Sequence, residues 1–362
     1  MFFEMFNEAR PSSSTTRRSL PLAAAAVAVF GFGAGSAGAA SPHGMTTSAQ
    51  YAITPVYFPV GVLPRHIAGV DRRGEMAGYG QEEGDYNADC VYSIGSTAYD
   101  LSGPDGSFEP QCSFVSMNEL GTAVGTFENP SGEYGQAGVV SVQGTFSQID
   151  SPVFGLSAIN GKEIAVGQVT GTDGILGIYS LPRNKVVREL VDLRTGCAMS
   201  YAFAINDHGT VFGYDTCNAG SRRYETVSNV GVFTYIAPPT GYAFPDNQQT
   251  AVFNDRQQIA LTKSGSGHAF VWSPAVQQAP VDLGVLAEDP NATYTIDSLS
   301  DTTAAGMTSD GYAWVWTAAT GIEDLADLVP PNSYGKFSPD AVDDRGDLGC
   351  EGDEIWLFLK HR

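Results

Sequence analysis

An all-β fold, a β-propeller of seven four-stranded blades, is predicted by three observations. A hairpin motif recurs seven times at near-constant spacing. A strand with large residues at alternate positions recurs behind it. Sustained helical periodicity with capping residues is found nowhere in the 362 residues. The clearest hairpin runs from Ala202 to Gly213: an Asn opens the turn, a Gly follows three residues later, and a second Gly comes four residues after that. The corresponding turn positions are Asp71, Asn118, Asn160, Asn206, Asn254, Leu299 and Asp343, with gaps of 47, 42, 46, 48, 45 and 44 residues. A period near forty-five residues is the signature of a propeller or a related repeat array.

Each element of the repeat has a local cause. Ala202 to Ile205 alternates apolar and small residues and reads as a first strand. Asn206-Asp207-His208-Gly209 reads as a tight turn, because an Asn side chain hydrogen-bonds backbone two residues on. Gly209 takes a left-handed conformation that a residue with a Cβ adopts only at a penalty of about 1 kcal/mol or more. Thr210 to Gly213 forms the second strand.

The third strand is plainest at Gly267-His268-Ala269-Phe270-Val271-Trp272, at Gly311 to Trp316 and at Glu354 to Phe358. Weaker copies stand at Cys90–Tyr92, Gly138–Val140, Gly177–Tyr179 and Gly231–Phe233. Fourth strands are expected at Pro280–Gly284 and Ile322–Leu325, giving the four-stranded unit of a propeller. The last repeat holds only three strands, Pro339–Val342, Asp347–Cys350 and Ile355–Leu359. A spare strand, Gln50 to Val56, precedes the first repeat. Its pairing into the last unit would close the ring over residues 48–362 and leave no long open edge.

These units resemble the HAF-repeat family of extracellular repeat proteins, named from the triplet seen here at His268-Ala269-Phe270. That family joins an Ile-Asn-x-x-Gly-x-Val-x-Gly hairpin to a Gly-His-Ala-Phe-x-Trp strand and an Asp-Leu-Gly ending. Residues 205–213 and 267–284 match it well, 113–125 and 156–167 match only the hairpin, and 291–316 lacks the Asn. The resemblance implies export and a propeller-like β fold, and supplies no catalytic residues.

Residues 1–40 read as a signal peptide and 41–47 as a short disordered mature N-terminus. Arg10, Arg17 and Arg18 precede a short apolar run, Leu20 to Phe32, and Ala37-Gly38-Ala39 offers a cleavage site. Thr16-Arg17-Arg18-Ser19-Leu20 is compatible with Tat as well as Sec export. The expected location is therefore secreted or periplasmic, with no membrane span in the mature chain. Beyond residue 40 there are 38 acidic against 16 basic residues. Such a surface repels nucleic-acid phosphates, so an extracellular glycan or a protein is the expected partner, and the chain is expected to be a monomer.

Export makes disulfides plausible for the five cysteines. Cys90–Cys112 and Cys197–Cys217 would each close a loop of about twenty residues, contributing roughly 3 kcal/mol. Cys350 replaces the second Gly of its repeat. With no Cys-x-x-Cys, His-Glu-x-x-His, Gly-x-Ser-x-Gly or EF-type loop, no metal, cofactor or catalytic residue is expected.

The loops between second and third strands are the candidate binding surface. They carry Glu82, Glu83, Asp85 and Tyr86 in the first repeat, Glu128, Glu133 and Tyr134 in the second, and Asp215, Arg222, Arg223, Tyr224 and Glu225 in the fourth. Carboxylates beside tyrosines suit a sugar or a cation. The expected function is a non-catalytic binding module. A carbohydrate-active hydrolase or lyase using loop carboxylates is the alternative. The repeated Asn and Gly residues read as turn chemistry, and His268 and Trp272 as packing elements.

Overall fold

A computed structural model describes residues 49–82, 88–101, 112–127, 136–140, 145–149, 153–172, 174–218, 221–245, 252–276, 278–331, 336–352 and 354–362. The expected signal peptide and disordered N-terminus therefore lie outside the described residues. Six four-stranded antiparallel sheets are each built from strands consecutive in the chain, spanning 62–100, 112–149, 153–189, 201–235, 242–282 and 298–324. A seventh four-stranded sheet takes Phe337–Val342, Leu348–Gly352 and Trp356–His361 from the C-terminal end and Tyr51–Val56 from the N-terminal end. That spare strand pairs antiparallel with the last one, Tyr51 opposite His361 and Val56 opposite Trp356. A two-stranded hairpin, Val191–Asp192 with Cys197–Ala198, follows the third sheet. The arrangement is an all-β propeller fold.

First strands of neighbouring sheets touch one another, as Val62–Val70 does with Cys112–Met117 and with Phe337–Val342. They form the inner edge of the fold. The core lies between sheets, in hydrophobic clusters that each draw on two consecutive units. Phe212 of the fourth sheet packs with Phe253 and Ile259 of the fifth. Val62 and Ile67 of the first sheet pack with Trp356 and Phe358 of the seventh. Each fully buried Leu- or Phe-sized side chain contributes roughly 1.5–3 kcal/mol.

The Asn turns do more than turn the chain. Asn160 Oδ1 accepts the backbone N–H groups of Lys162 and Ile164, both at 3.0 Å, which fixes its own hairpin. Its amide then donates to the carbonyl of Asn206 in the next repeat at 2.8 Å. The same hand-off runs from Asn118 to Asn160 O (2.9 Å), from Asn206 to Asn254 O (3.4 Å) and from Asn254 to Ser300 O (2.8 Å). Asp71 and Asp343 have no amide to donate. Their second oxygen instead pairs with Arg73 and Arg345, each at 2.9 Å.

Ser300, rather than the expected Leu299, opens the sixth turn, its hydroxyl accepting the N–H groups of Thr302 and Thr303. Leu299 ends the strand before it. A second correction concerns the fourth repeat. Its third strand is Ser221–Val227, and Gly231–Phe233 turns into the fourth strand, Phe233–Tyr235. The charged segment pairs with Val211–Asn218 as a long hairpin, which alternation around Tyr224 permits.

The two repeated glycines answer different constraints. Gly209 has φ 75° and so uses the left-handed region. Gly213 is needed for space, since a Cβ there would stand 2.1 Å from the carbonyl oxygen of Tyr201 on the adjacent strand. In the third and fifth turns, Glu163 (φ 56°) and Gln257 (φ 57°) occupy the left-handed position without being glycine.

Cys90 and Cys112 form the expected disulfide, tying the first sheet to the second. Cys197 and Cys217 are free thiols, contrary to the expected pairing, although their sulfur atoms lie within 4.8 Å. Cys350 is free and buried.

Replacing Gln257 by Gly relieves the left-handed strain. We expect it to raise unfolding free energy by about 1 kcal/mol, offset in part by the added freedom of the unfolded chain. Urea denaturation of the two proteins checks this.

Candidate functional site

The inner strands of the first, sixth and seventh sheets bring together residues that the loop-based expectation did not include. His66 lies on Val62–Val70, Asp340 on Phe337–Val342, and Asp297 immediately before Ser298–Leu299. Tyr79 and Glu351 come from the second strands of the first and seventh sheets. His66 Nδ1 stands 3.4 Å from Asp340 Oδ2, which also accepts the Ile67 N–H at 3.2 Å. Ser338 donates to the other oxygen of Asp340 at 3.0 Å. The rings of His66 and Tyr79 are 5.8 Å apart.

The electrostatics of this group follow from partial burial among like charges. Burial, and then Asp340, pushes the Glu351 carboxyl up to about 7. Burial raises Asp297 to about 6, against a lowering hydrogen bond from Thr295. Near neutral pH these carboxyls exchange protons easily, while Asp340 is held by donors. The set therefore offers both hydrogen-bond donors and acceptors to a polar ligand.

A second cluster gathers part of the expected set. Asp215, Arg223 and Glu225 share one face of the fourth sheet, because side chains two apart on a strand point the same way. Arg223 Nη2 stands 2.8 Å from Asp215 Oδ2. Arg223 also lies 3.8 Å over the Tyr235 ring and donates to the Tyr235 hydroxyl at 3.0 Å. Tyr235 in turn donates to Asp192 on the inserted hairpin at 3.0 Å. The Arg194 side chain holds the Asp192 carboxyl well below its usual range. Glu225 is 1% exposed, and neither of its oxygens has a hydrogen-bond partner among the described residues. Burial, with Asp215 beside it, lifts its carboxyl to about 8. Cys197, Cys217 and Asp215 are the group that could hold a metal ion here.

The rest of the expected surface is dispersed. Arg222 and Tyr224 face the opposite side of the fourth sheet, where Arg222 lies over the Tyr214 ring and Tyr224 packs 4.2 Å from Phe244. Glu82 ends the strand Met76–Glu82, exposed. Glu83, Asp85, Tyr86, Glu128, Glu133 and Tyr134 lie outside the described residues. The segment 214–229, expected as a loop, is mainly strand.

His268 and Trp272 act structurally. His268 Nδ1 meets Asp282 Oδ2 at 2.9 Å across the third and fourth strands, and Asp282 also accepts the Gly284 N–H. The His and the Asp-Leu-Gly ending are thus one cross-strand clasp. Trp272 is buried and donates to Gln278 O at 3.1 Å.

A signal for the inner cluster was present in the repeat alignment. Counting three residues back from each turn gives Asp297 and Asp340 in the last two repeats, where the second and fourth have Val115 and Phe203. One residue past the second-Gly position stand Tyr79, Tyr214 and Glu351. Polar residues that break a repeat on its inner strand mark a site that the repeat itself does not require.

No family model matches the chain, and no curated protein matches it. Solved structures do. A catalytically inactive variant of virginiamycin B lyase from Staphylococcus aureus, with quinupristin, aligns at TM-score 0.50 and 12% identity, over 86% of this chain and 99% of that one. A streptogramin B lyase aligns at 0.49 and 11%, over 87% and 100%. YCF48 bound to a D1 peptide aligns at 0.49 and 13%, over 85% and 96%. Proteins of such different roles have the propeller fold in common, and at these identities the likeness concerns the fold alone.

The raised carboxyls carry a pH dependence. The folded chain holds a proton on Glu351 between pH 4.5 and about 7 that the unfolded chain has released. The native state then binds more protons, so stability falls as pH rises through that window. Glu351→Gln removes this contribution. Melting temperatures from pH 4 to 8 should show the variant gaining on the parent as pH rises, with the gain complete above about 7.

Proposed function

We propose that this chain is an exported, soluble propeller of seven blades closed into a ring, and that it binds an extracellular polymer or partner protein through the inner cluster of His66, Tyr79, Asp297, Asp340 and Glu351. The observation that carries this reading is the convergence of polar and titratable side chains from three sheets, on or beside their first and second strands. Export is supported by the basic, then apolar, then small-residue order of residues 1–40. It accords with the HAF-repeat resemblance. Ring closure is supported by the pairing of Tyr51–Val56 with Trp356–His361 and by the cluster shared between the first and seventh sheets. Among the described residues, no helix is long and apolar enough to cross a membrane.

The ligand chemistry follows from the donors and acceptors available. Protonated Glu351 and Asp297 donate, Asp340 accepts, and Tyr79 supplies a ring face. A polyhydroxylated chain such as a glycan meets each of these. The second reading, a carbohydrate-active enzyme, is favoured by one observation. A carboxyl raised to about 7 beside a second carboxylate is the acid–base pairing that glycoside chemistry uses. It moves the candidate catalytic carboxylates from the loops to the first and second strands of the seventh sheet.

A glycan array probed with the parent and with an Asp340→Asn, Glu351→Gln double variant tests the proposal. The double variant should lose at least about tenfold in affinity, since two hydrogen-bonding groups are altered, with an unchanged circular dichroism spectrum. Equal binding by both proteins would contradict the assignment. Turnover of a bound glycan by the parent and not by the variant would select the enzyme reading.

A further inference from the structure

The fourth sheet and the hairpin inserted before it bring two cysteines and an aspartate to one place. Cys197 lies on the hairpin strand Cys197–Ala198, opposite Asp192. Asp215 and Cys217 lie two residues apart on Val211–Asn218, where the pairing with the next strand is irregular, and Asp215 accepts the Cys217 N–H. The two sulfur atoms and a carboxylate oxygen all lie within 4.8 Å of one another. We propose that Cys197, Cys217 and Asp215 form a binding site for one thiophilic d10 cation of the zinc and cadmium class. This goes beyond the inner-strand reading and stands independently of it.

Geometry supports the proposal first. Zn–S bonds of about 2.3 Å and Zn–O bonds of about 2.0–2.2 Å place tetrahedral ligand atoms roughly 3.5–3.8 Å apart, so a set within 4.8 Å needs to close by no more than about 1.3 Å. Cys197 is half-buried and Cys217 exposed, which gives an ion an entry path and leaves its fourth position open to solvent. Asp215 is itself fully enclosed, and its position is fixed from both sides: Oδ1 accepts the Cys217 N–H at 3.1 Å and Oδ2 accepts Arg223 Nε at 2.9 Å. Arg223 is held by Tyr235, and Tyr235 by Asp192, which returns to the register position facing Cys197. The supporting groups thus run in a loop from one cysteine strand to the other, as the outer partners of a metal site do.

A second observation points into the same place. Glu225 is a fully enclosed carboxyl next to Asp215, with neither oxygen hydrogen-bonded among the described residues. Glu225 shares this face with Arg223, and a cation bound at Asp215 would add a second positive charge beside its carboxyl.

The donor set also decides which ion. Arg223 already neutralises Asp215, so a hard cation that depends on several charged oxygens finds little here. Two thiolates favour a soft or borderline ion instead. Bound metal would tie the inserted hairpin to the second strand of the fourth sheet more firmly than the contacts of Cys217 with Cys197 and Ala198 do.

The test uses the full chain with the Cys90–Cys112 disulfide intact and its other thiols reduced, stripped of metal and kept under inert gas. Titration with cadmium should give one saturable equivalent per chain and a thiolate-to-metal absorption band in the ultraviolet. Zinc should displace it, and calcium should not. Cys197→Ser and Cys217→Ser should each abolish the band, and Asp215→Asn, which removes a ligand charge, should weaken binding by at least about tenfold. Cys350→Ser should leave the titration unchanged, and circular dichroism of each variant checks that it folds. Absence of saturable binding, or binding indifferent to Cys197→Ser and Cys217→Ser, would overturn the proposal. A Cys197–Cys217 disulfide found by peptide mapping of the freshly isolated chain would overturn it too.

Discussion

A buried asparagine that serves two turns at once is the interaction on which the rest depends. Its oxygen closes its own hairpin, and its amide reaches the carbonyl of the next one. Asn118, Asn160, Asn206 and Asn254 repeat the arrangement across four successive sheet boundaries. The carbonyls of Asn160, Asn206 and Asn254 each also accept a backbone N–H of their own turn, so the amide adds a second bond across the sheet boundary, worth about 0.5–1.5 kcal/mol each. A second line of contacts runs beside the first. Asp207 accepts the Gly161 N–H and Asp255 accepts the Asp207 N–H, both at 2.6 Å. The sheets are thereby joined at their inner edge by polar contacts, while the apolar clusters fill the space between their faces. Where Asp replaces Asn, at residues 71 and 343, an arginine two residues on takes up the spare oxygen.

Tight inner turns have a consequence for chemistry. They draw the first strands close, so any polar side chain on those strands meets others from neighbouring sheets. His66, Asp297 and Asp340 are brought together in this way, though 274 residues separate the first from the last. Partial burial among like charges then raises Glu351 and Asp297 toward neutrality. The fourth sheet uses a different device. A hairpin outside the repeat covers one of its faces and places Asp192 and Cys197 over Asp215, Arg223 and Cys217. One cluster results from convergence of repeats and the other from an insertion between them.

The fold was legible because turn chemistry is local. Asn206 and Gly209 each announce a constraint that three or four neighbouring residues satisfy, and Gly213 one set by Tyr201 across the same hairpin. The pairing of Tyr51–Val56 with the last strand followed from counting strands. Leu299 was misplaced by one residue because Ser300 performs the Asn's turn-closing role with a hydroxyl, leaving no Asn to mark the register. The segment around Arg222 and Tyr224 was read as a loop because its charges masked strict alternation. Half of that alternation faces an aromatic cluster and half an ion-pair network. The inner cluster was harder to see. No local pattern links His66 to Asp340, and only the superposition of repeats places both on the inner edge.

The account rests on the claim that the turn-to-turn asparagine contacts couple neighbouring sheets energetically. Asn160→Asp tests it most directly: the side chain keeps its shape and its two acceptor contacts but loses the amide that reaches Asn206 O at 2.8 Å. Native-state amide hydrogen exchange, followed residue by residue, reads the outcome. If the coupling exists, the slowest amides of the third and fourth sheets should lose protection together, by about 2–3 kcal/mol. Faster exchange confined to residues 160–164, with both sheets otherwise protected as before, would contradict it.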